Sequence, residues 1–135
     1  MKVNILAIIV SAILAYGFGF LWFNVIFRVP YATDLARTNE WMDAGPSALV
    51  ASIMQIIGNI VAAYVLSWFI SRTNNGGAIG GAKIAFLCWL GFVASVIGPM
   101  YAFQAYSLRF FGIVAGGWLL TLVGMGVILG AWRAR

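Results

Sequence analysis

The sequence predicts an all-α integral membrane protein, a bundle of four transmembrane helices with a short interfacial helix in the first loop. The 135 residues are 64% apolar and only 8% charged, whereas soluble domains carry roughly a quarter charged residues. Four apolar runs are long enough to cross a hydrocarbon core of about 30 Å. The runs lack the alternating pattern of a barrel, and backbone in lipid must satisfy its own hydrogen bonds, so we predict helices.

The absent residue types exclude several classes of function. Histidine is missing, which removes the usual haem and metal ligand and the commonest general base. A single cysteine, Cys88, forms no internal disulfide. The three acids, Asp34, Glu40 and Asp43, fall within ten residues and outside every apolar run. We therefore expect no enzyme, no cofactor and no metal site.

The net charge of +5 does not indicate a nucleic-acid partner, because the eight cations are scattered at the ends of the apolar runs. With the N-terminus cytoplasmic, five cations lie inside and three outside, which is a modest positive-inside bias. We expect a multi-pass protein of the bacterial inner membrane with both termini cytoplasmic, and dual insertion stays an alternative. The inner cations are Lys2, Arg72, Lys83, Arg133 and Arg135, and the outer ones are Arg28, Arg37 and Arg109.

The first predicted span covers residues 3–27 and resembles a signal peptide at its start. Its apolar run continues well beyond a signal core and no Ala-x-Ala site ends it, so we expect a retained span, with Pro30 ending it. Small residues recur at every fourth position, a spacing that lets helices pack closely in lipid. These are Ala7, Ser11, Ala15 and Gly19.

The first loop is the longest and favours a short amphipathic helix in the membrane interface. Leu35, Trp41 and Met42 recur at helical spacing among charged residues, and Trp41 would anchor the helix at the interface. An irregular solvated loop is the alternative. Asp34 or Asp43 in this loop would form an outer-face ion pair with Arg109, since a cation at the start of a helix opposes its dipole.

The second span, residues 47–70, carries two amides in an uncharged segment, "SIMQIIGNIVAAYVLSW". Small and polar residues fall on one helix face, at Ser52, Gln55, Asn59 and Ala63. Amides facing lipid are costly, so this face is predicted to point into the bundle or into an oligomer interface. The alternative is that Gln55 and Asn59 line a polar path for a substrate or ion.

The third span is predicted at residues 82–101, after a flexible Asn- and Gly-rich turn, "SRTNNGGAIGG". "GPM" at 98–100 is expected to kink or end it. Trp89 lies well inside this span, and its indole N–H needs a partner, which Asn59 or Gln55 would supply.

The fourth span, residues 108–132, contains two Gly-xxx-Gly pairs, which favour close helix packing or oligomer contacts. Tryptophans near the ends of the second and fourth spans are predicted interfacial anchors. The glycines are Gly112, Gly116, Gly126 and Gly130, and the tryptophans are Trp68 and Trp132.

Two short motifs carry a family resemblance. Together with the four-span plan, "GFGFLWF" (17–23) and "WLGFV" (89–93) resemble a family of small bacterial and fungal membrane proteins, domain of unknown function 1761. The exit from the first span, "NVIFRVPYA", departs from the more proline-rich form usual in that family. The resemblance implies a four-span fold in a membrane and supplies no catalytic or binding residues.

These observations lead to one main functional expectation and one alternative, beside a third and less favoured hypothesis. That hypothesis is an enzyme acting on lipid or quinone at the membrane interface, with a polar cluster of Asp34, Arg37, Glu40, Asp43 and Arg109. We expect a non-catalytic membrane protein that acts through helix–helix contacts, as a homo-oligomer or as an accessory subunit of a larger membrane complex. The alternative is a small oligomeric transporter or channel with a polar path along Gln55 and Asn59. No membrane-embedded glutamate is present, which disfavours proton-coupled exchange of the small multidrug exporter type.

Overall fold

A computed structural model describes residues 4–35, 44–73 and 77–132. It confirms the all-α fold with four helices long and apolar enough to cross a membrane. The elements in chain order are α1 (Ile5–Leu21), π1 (Trp22–Ile26), α2 (Arg28–Leu35), α3 (Ala48–Arg72), α4 (Gly77–Cys88), π2 (Trp89–Ala94), α5 (Ser95–Phe103) and α6 (Leu108–Ala131). The spanning segments are Ile5–Ile26, Ala48–Arg72, Gly77–Phe103 and Leu108–Ala131.

Three of the four spans begin at a polar cap. The side chains of Asn4, Ser47 and Ser107 accept hydrogen bonds from the backbone N–H three residues later. Such caps satisfy one of the donors that the first turn of a helix leaves without an intrahelical partner. Because these polar residues sit directly before apolar runs, the sequence places the helix starts to within a residue or two.

The short helix in the first loop is α2, which follows π1 after one residue. Pro30 is its third residue, so the expectation that Pro30 ends the first span is wrong. The span ends at Ile26, because the backbone of Phe27 leaves the helical region. Proline is tolerated in the first turn of the next helix. The centre of the predicted interfacial helix, including Trp41 and Asp43, lies outside the described residues.

The third span differs from the sequence expectation at both ends. It begins at Gly77, so the second half of "SRTNNGGAIGG" is helix and not flexible turn. It continues past Pro99 to Phe103, and the chain then turns at Ala105, which has a positive φ of 60°. Pro99 is therefore not the end of the span.

The fourth span is the centre of the bundle. In the most apolar stretch of the fourth span 39% of the residues are buried, whereas in that of the third span 11% are. Helix α6 contacts α1, α2, α3 and α4. Asn4, before α1, donates a hydrogen bond of 3.1 Å to the backbone carbonyl of Trp132, after α6. The start of the first span and the end of the fourth thus lie at one end of the bundle.

The closest helix contact joins α4 and α6 through four glycines, which we call the glycine crossing: Gly77, Gly81, Gly126 and Gly130. A Cβ added to Gly126 would run into the backbone carbonyl of Gly81, and one added to Gly81 would meet that of Gly126. Only residues without side chains permit this approach. The remaining core is apolar and includes Ala7, Ala63, Leu66, Met125 and Leu129.

Candidate functional site

A cavity of about 190 Å³ with a mostly apolar lining and several polar side chains, which we call the amide pocket, lies between α1, π1, α3 and α6. It sits in the half of the bundle where π1 ends the first span and α3 begins. Gln55 is about 10 Å along α3 from its start, at 1.5 Å per residue. The polar residues and the largest ring that line the pocket are Tyr16, Asn24, Gln55, Asn59, Trp118 and Thr121.

The two amides of α3 are hydrogen-bonded in series. Gln55 Nε2 donates to Asn59 Oδ1 at 2.8 Å, and Asn59 Nδ2 donates to the backbone carbonyl of Ala12 on α1 at 3.4 Å. Asn59 is only 1% exposed, so its bonds are made inside the bundle. The amides that the sequence places in an apolar span thus face α1 and the pocket.

A second polar contact joins the same helices one turn away. Tyr16 Oη on α1 donates to Ser52 Oγ on α3 at 3.0 Å, and Ala63 farther along α3 is fully buried. The polar face of α3 therefore packs against α1, with Ser52, Asn59 and Ala63 at the contact and Gln55 at the pocket wall.

The small residues of α1 divide into two groups. Ala7, Ser11 and Ala15 are buried, and they are the part of the stripe that packs against neighbouring helices. Gly19 lines the amide pocket, where an added Cβ would meet no atom within 4 Å. Within this chain Gly19 thus contributes space, because its missing side chain leaves part of the pocket open.

The two Gly-xxx-Gly pairs of α6 also behave differently. Gly126 and Gly130 form the glycine crossing with α4, whereas Gly112 is exposed and an added Cβ there would meet nothing within 4 Å. Gly116 makes only an ordinary contact of 3.7 Å with Trp22. A contact of Gly112 with a partner helix stays a prediction.

Trp22 and Trp89, one from each of the two short family motifs, both donate hydrogen bonds to the backbone of α6. Trp22 Nε1 donates to the carbonyl of Ile113 at 2.8 Å, and Trp89 Nε1 donates to that of Ala115 at 2.9 Å. The proposed partners of Trp89, Asn59 and Gln55, are therefore wrong. An indole N–H needs an acceptor, and a backbone carbonyl of the neighbouring helix serves as well as an amide.

Each of these tryptophans begins a π-helix, π1 or π2. A π-helical turn inserts an extra residue per turn, and such turns are frequent at functional sites. π1 supplies Phe23 and Asn24 to the amide pocket. The motifs "GFGFLWF" and "WLGFV" thus mark the two places where the spanning helices depart from regular α geometry.

The sequence patterns did not predict several residues that shape the glycine crossing and the amide pocket. Gly77 and Gly81 have the Gly-xxx-Gly spacing, which Ala85 continues four residues later. This spacing, visible in "GGAIGG", is the sequence signal that could have predicted the close contact with α6. Gly117 lets Trp22 reach α6, because an added Cβ would lie 2.8 Å from Trp22 Cδ1. Thr121 lines the pocket while its hydroxyl donates to the carbonyl of Gly117 at 2.8 Å.

A second, larger cavity, the lateral groove, lies between the second and third spans and is also lined by residues of α6. Its volume is about 650 Å³. Gln55 and Trp118 line both the groove and the amide pocket, so these two side chains form the wall between them. The groove lining includes Ala51, Gly58 and Ala62 on α3 and Phe92 and Val93 on π2.

At the bundle end nearest the pocket, Arg109 pairs with Asp34 of α2. Arg109 Nε and Nη2 donate to the two carboxylate oxygens at 2.6 Å each. The hydrogen bond from Arg109 holds the pKa of Asp34 below its usual range. Asp34 is thus the partner of Arg109 in the structure, and Asp43 lies outside the described residues.

An aromatic cluster formed by residues near this ion pair in the sequence and by Tyr101 and Tyr106 packs α2 against α6. Phe110 is stacked against Tyr31 and Tyr106, with ring centroids 5.4 Å and 4.4 Å away, and Tyr101 lies 5.3 Å from it. Burial raises the pKa of Tyr31.

The two described anchor tryptophans lie at the opposite end of the bundle. Trp68 and Trp132 are 37% and 42% exposed, and the Arg72 guanidinium lies 4.8 Å from the ring centroid of Trp68. Trp41 lies outside the described residues. Within those residues, no three His, Cys, Asp or Glu side chains gather in a geometry that would hold a metal ion.

The sequence matches the family model described as "Protein of unknown function (DUF1761)" over residues 6–130. The chain belongs to this family. No curated protein and no solved structure matches this chain. Membership covers all four spans, so the tryptophan contacts, the amide pocket and the lateral groove all lie within the DUF1761 region.

Proposed function

We propose that this DUF1761 protein is a non-catalytic membrane protein that acts through contacts between transmembrane helices. It would work as a homo-oligomer or as an accessory subunit of a larger membrane complex. The observation that supports this is the lateral groove between the second and third spans, which leaves a helix-sized face of α3 without a neighbour among the described residues.

The groove has the dimensions and composition of a helix-binding surface. Its α3 wall runs from Ala51 to Ala62, about 16 Å at 1.5 Å per residue, beside a helix diameter of about 10–12 Å. Ala51, Gly58 and Ala62 are small, and an added Cβ at Gly58 would meet no atom within 4 Å. In lipid, small residues favour association because they let helix backbones approach closely.

The hydrogen bonding of the amides also favours a packing role. Gln55 and Asn59 are joined to each other and to the carbonyl of Ala12, a use of amides that holds helices together in lipid. These contacts engage the Asn59 side chain and one N–H of Gln55 within the bundle.

The proposed location is the bacterial inner membrane, with both termini cytoplasmic. An even number of spans supports termini on one side, and the excess of cations at that side supports the orientation. Labelling of single cysteines introduced near each end of the chain, in a Cys88→Ala background with a reagent that does not cross membranes, would test it. Labelling of intact cells at either end would contradict the orientation.

The first test of the function is gentle solubilisation from the native membrane followed by native mass spectrometry. We expect the chain in a defined assembly, and a stable monomer would contradict the proposal. Co-migration with larger subunits would identify an accessory role, and a homo-oligomer would identify self-association.

Two substitutions distinguish the groove from other surfaces. Gly58→Leu would fill the groove and is expected to dissociate the assembly. Gly17→Leu is the matched control, because Gly17 is also exposed with nothing within 4 Å of an added Cβ. If Gly112→Leu dissociates the assembly and Gly58→Leu does not, the contact surface is on α6 and the groove is not the interface.

A second candidate function is a small oligomeric transporter or channel. The observation that favours it is that Gln55 and Trp118 line both cavities, so a rearrangement of Gln55 would join the groove to the amide pocket. Solute flux into liposomes that is lost in Gln55→Leu and Asn59→Ala, while assembly is retained, would support transport. Absence of flux in a reconstituted, correctly assembled protein would contradict it.

A further inference from the structure

The amide pocket holds hydrogen-bonding capacity that the described residues do not use. Of the two N–H groups of Gln55, one donates to Asn59, and its carbonyl oxygen accepts no bond from a described residue. Asn24, at the other end of the pocket, bonds to no described residue. Each amide offers two donors and an oxygen that accepts two bonds, and unsatisfied amides are costly at membrane depth.

The size of the pocket limits what can enter. Sites for drug-sized ligands occupy about 300–1,000 Å³, whereas this pocket is about 190 Å³. A head group fits and a whole amphiphile does not. Phe20 and Asn24 line the pocket and are exposed, so they mark the side on which the rest of such a molecule leaves toward lipid.

The chemistry of the lining limits the charge of the occupant. The pocket is lined by amides, the hydroxyls of Tyr16 and Thr121 and the rings of Phe20, Phe23 and Trp118, and among the described residues no Asp, Glu, Lys or Arg lines it. A charged head would be buried without a counter-ion, which is strongly unfavourable in a membrane. A neutral head with carbonyl or hydroxyl oxygens matches the free groups of Gln55 and Asn24.

We propose that the amide pocket binds the neutral, oxygen-bearing head of a membrane amphiphile, whose apolar tail extends past Phe20 into the lipid. This site is separate from the lateral groove, because the groove lies on the other side of Gln55 and Trp118. The proposal therefore does not depend on whether the groove binds a helix.

The test uses the full chain in phosphatidylcholine nanodiscs and two photoactivatable probes with identical ten-carbon tails. One probe is a monoacylglycerol, with a neutral head carrying ester and hydroxyl oxygens, and the other is an alkyl phosphate. Both carry a diazirine near the head. We expect saturable labelling by the monoacylglycerol at Phe20, Phe23 or Trp118, and labelling by the phosphate at least tenfold weaker.

Two pairs of variants test whether the labelling takes place in the amide pocket. Gly19→Val fills the pocket without removing a hydrogen bond, and Gly17→Val makes the same change at an exposed position two residues away. We expect saturable labelling to disappear in Gly19→Val and to persist in Gly17→Val. Gln55→Leu is expected to weaken binding about tenfold, which corresponds to one or two hydrogen bonds, while Gln104→Leu in the exposed turn after α5 has no effect.

Helical circular dichroism and a single size-exclusion peak show that each variant is folded. Should Gln55→Leu misfold, Gly19→Val still decides the question, since its added side chain meets open space. Equal labelling in Gly19→Val and Gly17→Val, equal labelling by the two probes, or labelling without saturation in the wild type would each overturn the proposal.

Discussion

The glycine crossing and the amide pocket are both made where small residues let transmembrane helices meet, yet one is closed and the other is open. At the crossing, glycines on both helices face each other, so the backbones of α4 and α6 touch directly. At the pocket, Gly19 on α1 faces larger side chains on α3 and α6, and a cavity of about 190 Å³ remains. In these two regions the helix contact is closed where glycines face each other and open where one glycine faces larger side chains.

The two regions also use polar groups differently. The crossing relies on backbone contact alone, whereas the pocket is bordered by Gln55, Asn59 and Tyr16, whose bonds tie α1 to α3. The length of these side chains then sets the distance between α1 and α3. We expect the crossing to tolerate no added volume and the pocket to tolerate some.

The largest effect is expected at the crossing. Gly126→Ala would place a Cβ against the backbone of Gly81, which cannot move aside as a flexible side chain can, so we expect destabilisation of about 3 kcal/mol or more. Gly124→Ala, two residues away, is the control because an added Cβ there meets nothing within 4 Å. Unfolding free energies from titration with sodium dodecyl sulfate would measure both, and equal values would mean that the crossing is not closed.

A smaller effect is expected where Trp22 contacts α6. Gly117→Ala brings a Cβ to within 2.8 Å of the Trp22 ring, and we expect a loss of about 1–3 kcal/mol as the bond from Trp22 to Ile113 is disturbed. Gly116→Ala, where the contact is an ordinary 3.7 Å, should be neutral or slightly stabilising, because alanine favours helix. The same unfolding titration applies, and a neutral Gly117→Ala would contradict the close approach of Trp22.

The amides should show a modest but coupled effect. Asn59→Leu removes the bond to Ala12 and leaves Gln55 without its acceptor, with an expected loss of about 1–2 kcal/mol. In a double-mutant cycle with Gln55→Leu, we expect a coupling energy of about 0.6–2 kcal/mol. Additive losses would show that the two amides act independently and that their hydrogen bond contributes nothing.

The smallest effect is expected at the ion pair of Asp34 and Arg109, in which the Arg109 side chain is 59% exposed. Because the pKa of Asp34 is lowered in the folded protein, its contribution is present above the unfolded value of about 3.9 and is lost as the pH falls through the folded value. The melting temperatures of wild type and Asp34→Asn should therefore differ by a constant amount between neutral pH and about pH 5 and converge at lower pH. High salt should reduce the difference.

A constant difference that persists in strong acid would show that the carboxylate charge is not what stabilises this contact. The charge-swapped double variant, Asp34→Arg with Arg109→Asp, provides a further control. It should recover part of the stability that each single variant loses, and failure to do so would contradict a direct pairing.

The sequence by itself determined the four membrane spans and their polar faces. Hydropathy is a local property, so the starts predicted at residues 3, 47 and 108 lie within two residues of the helix starts at Ile5, Ala48 and Leu108. The pairing of Arg109 with an acid of the first loop followed from helix polarity. The inward direction of Asn59 followed from the cost of an amide in lipid.

Only the tertiary structure decided which helices those features meet. The glycines at 77 and 81 occur in a segment whose composition is that of a turn, and they are helical because α6 presents Gly126 and Gly130 opposite them. The acceptors of Trp22 and Trp89 are backbone carbonyls, which every residue carries, so no side-chain pattern could indicate them. The amide pocket exists because Gly19 faces larger residues on two other helices, and the volume between three helices is not a property of any one of them.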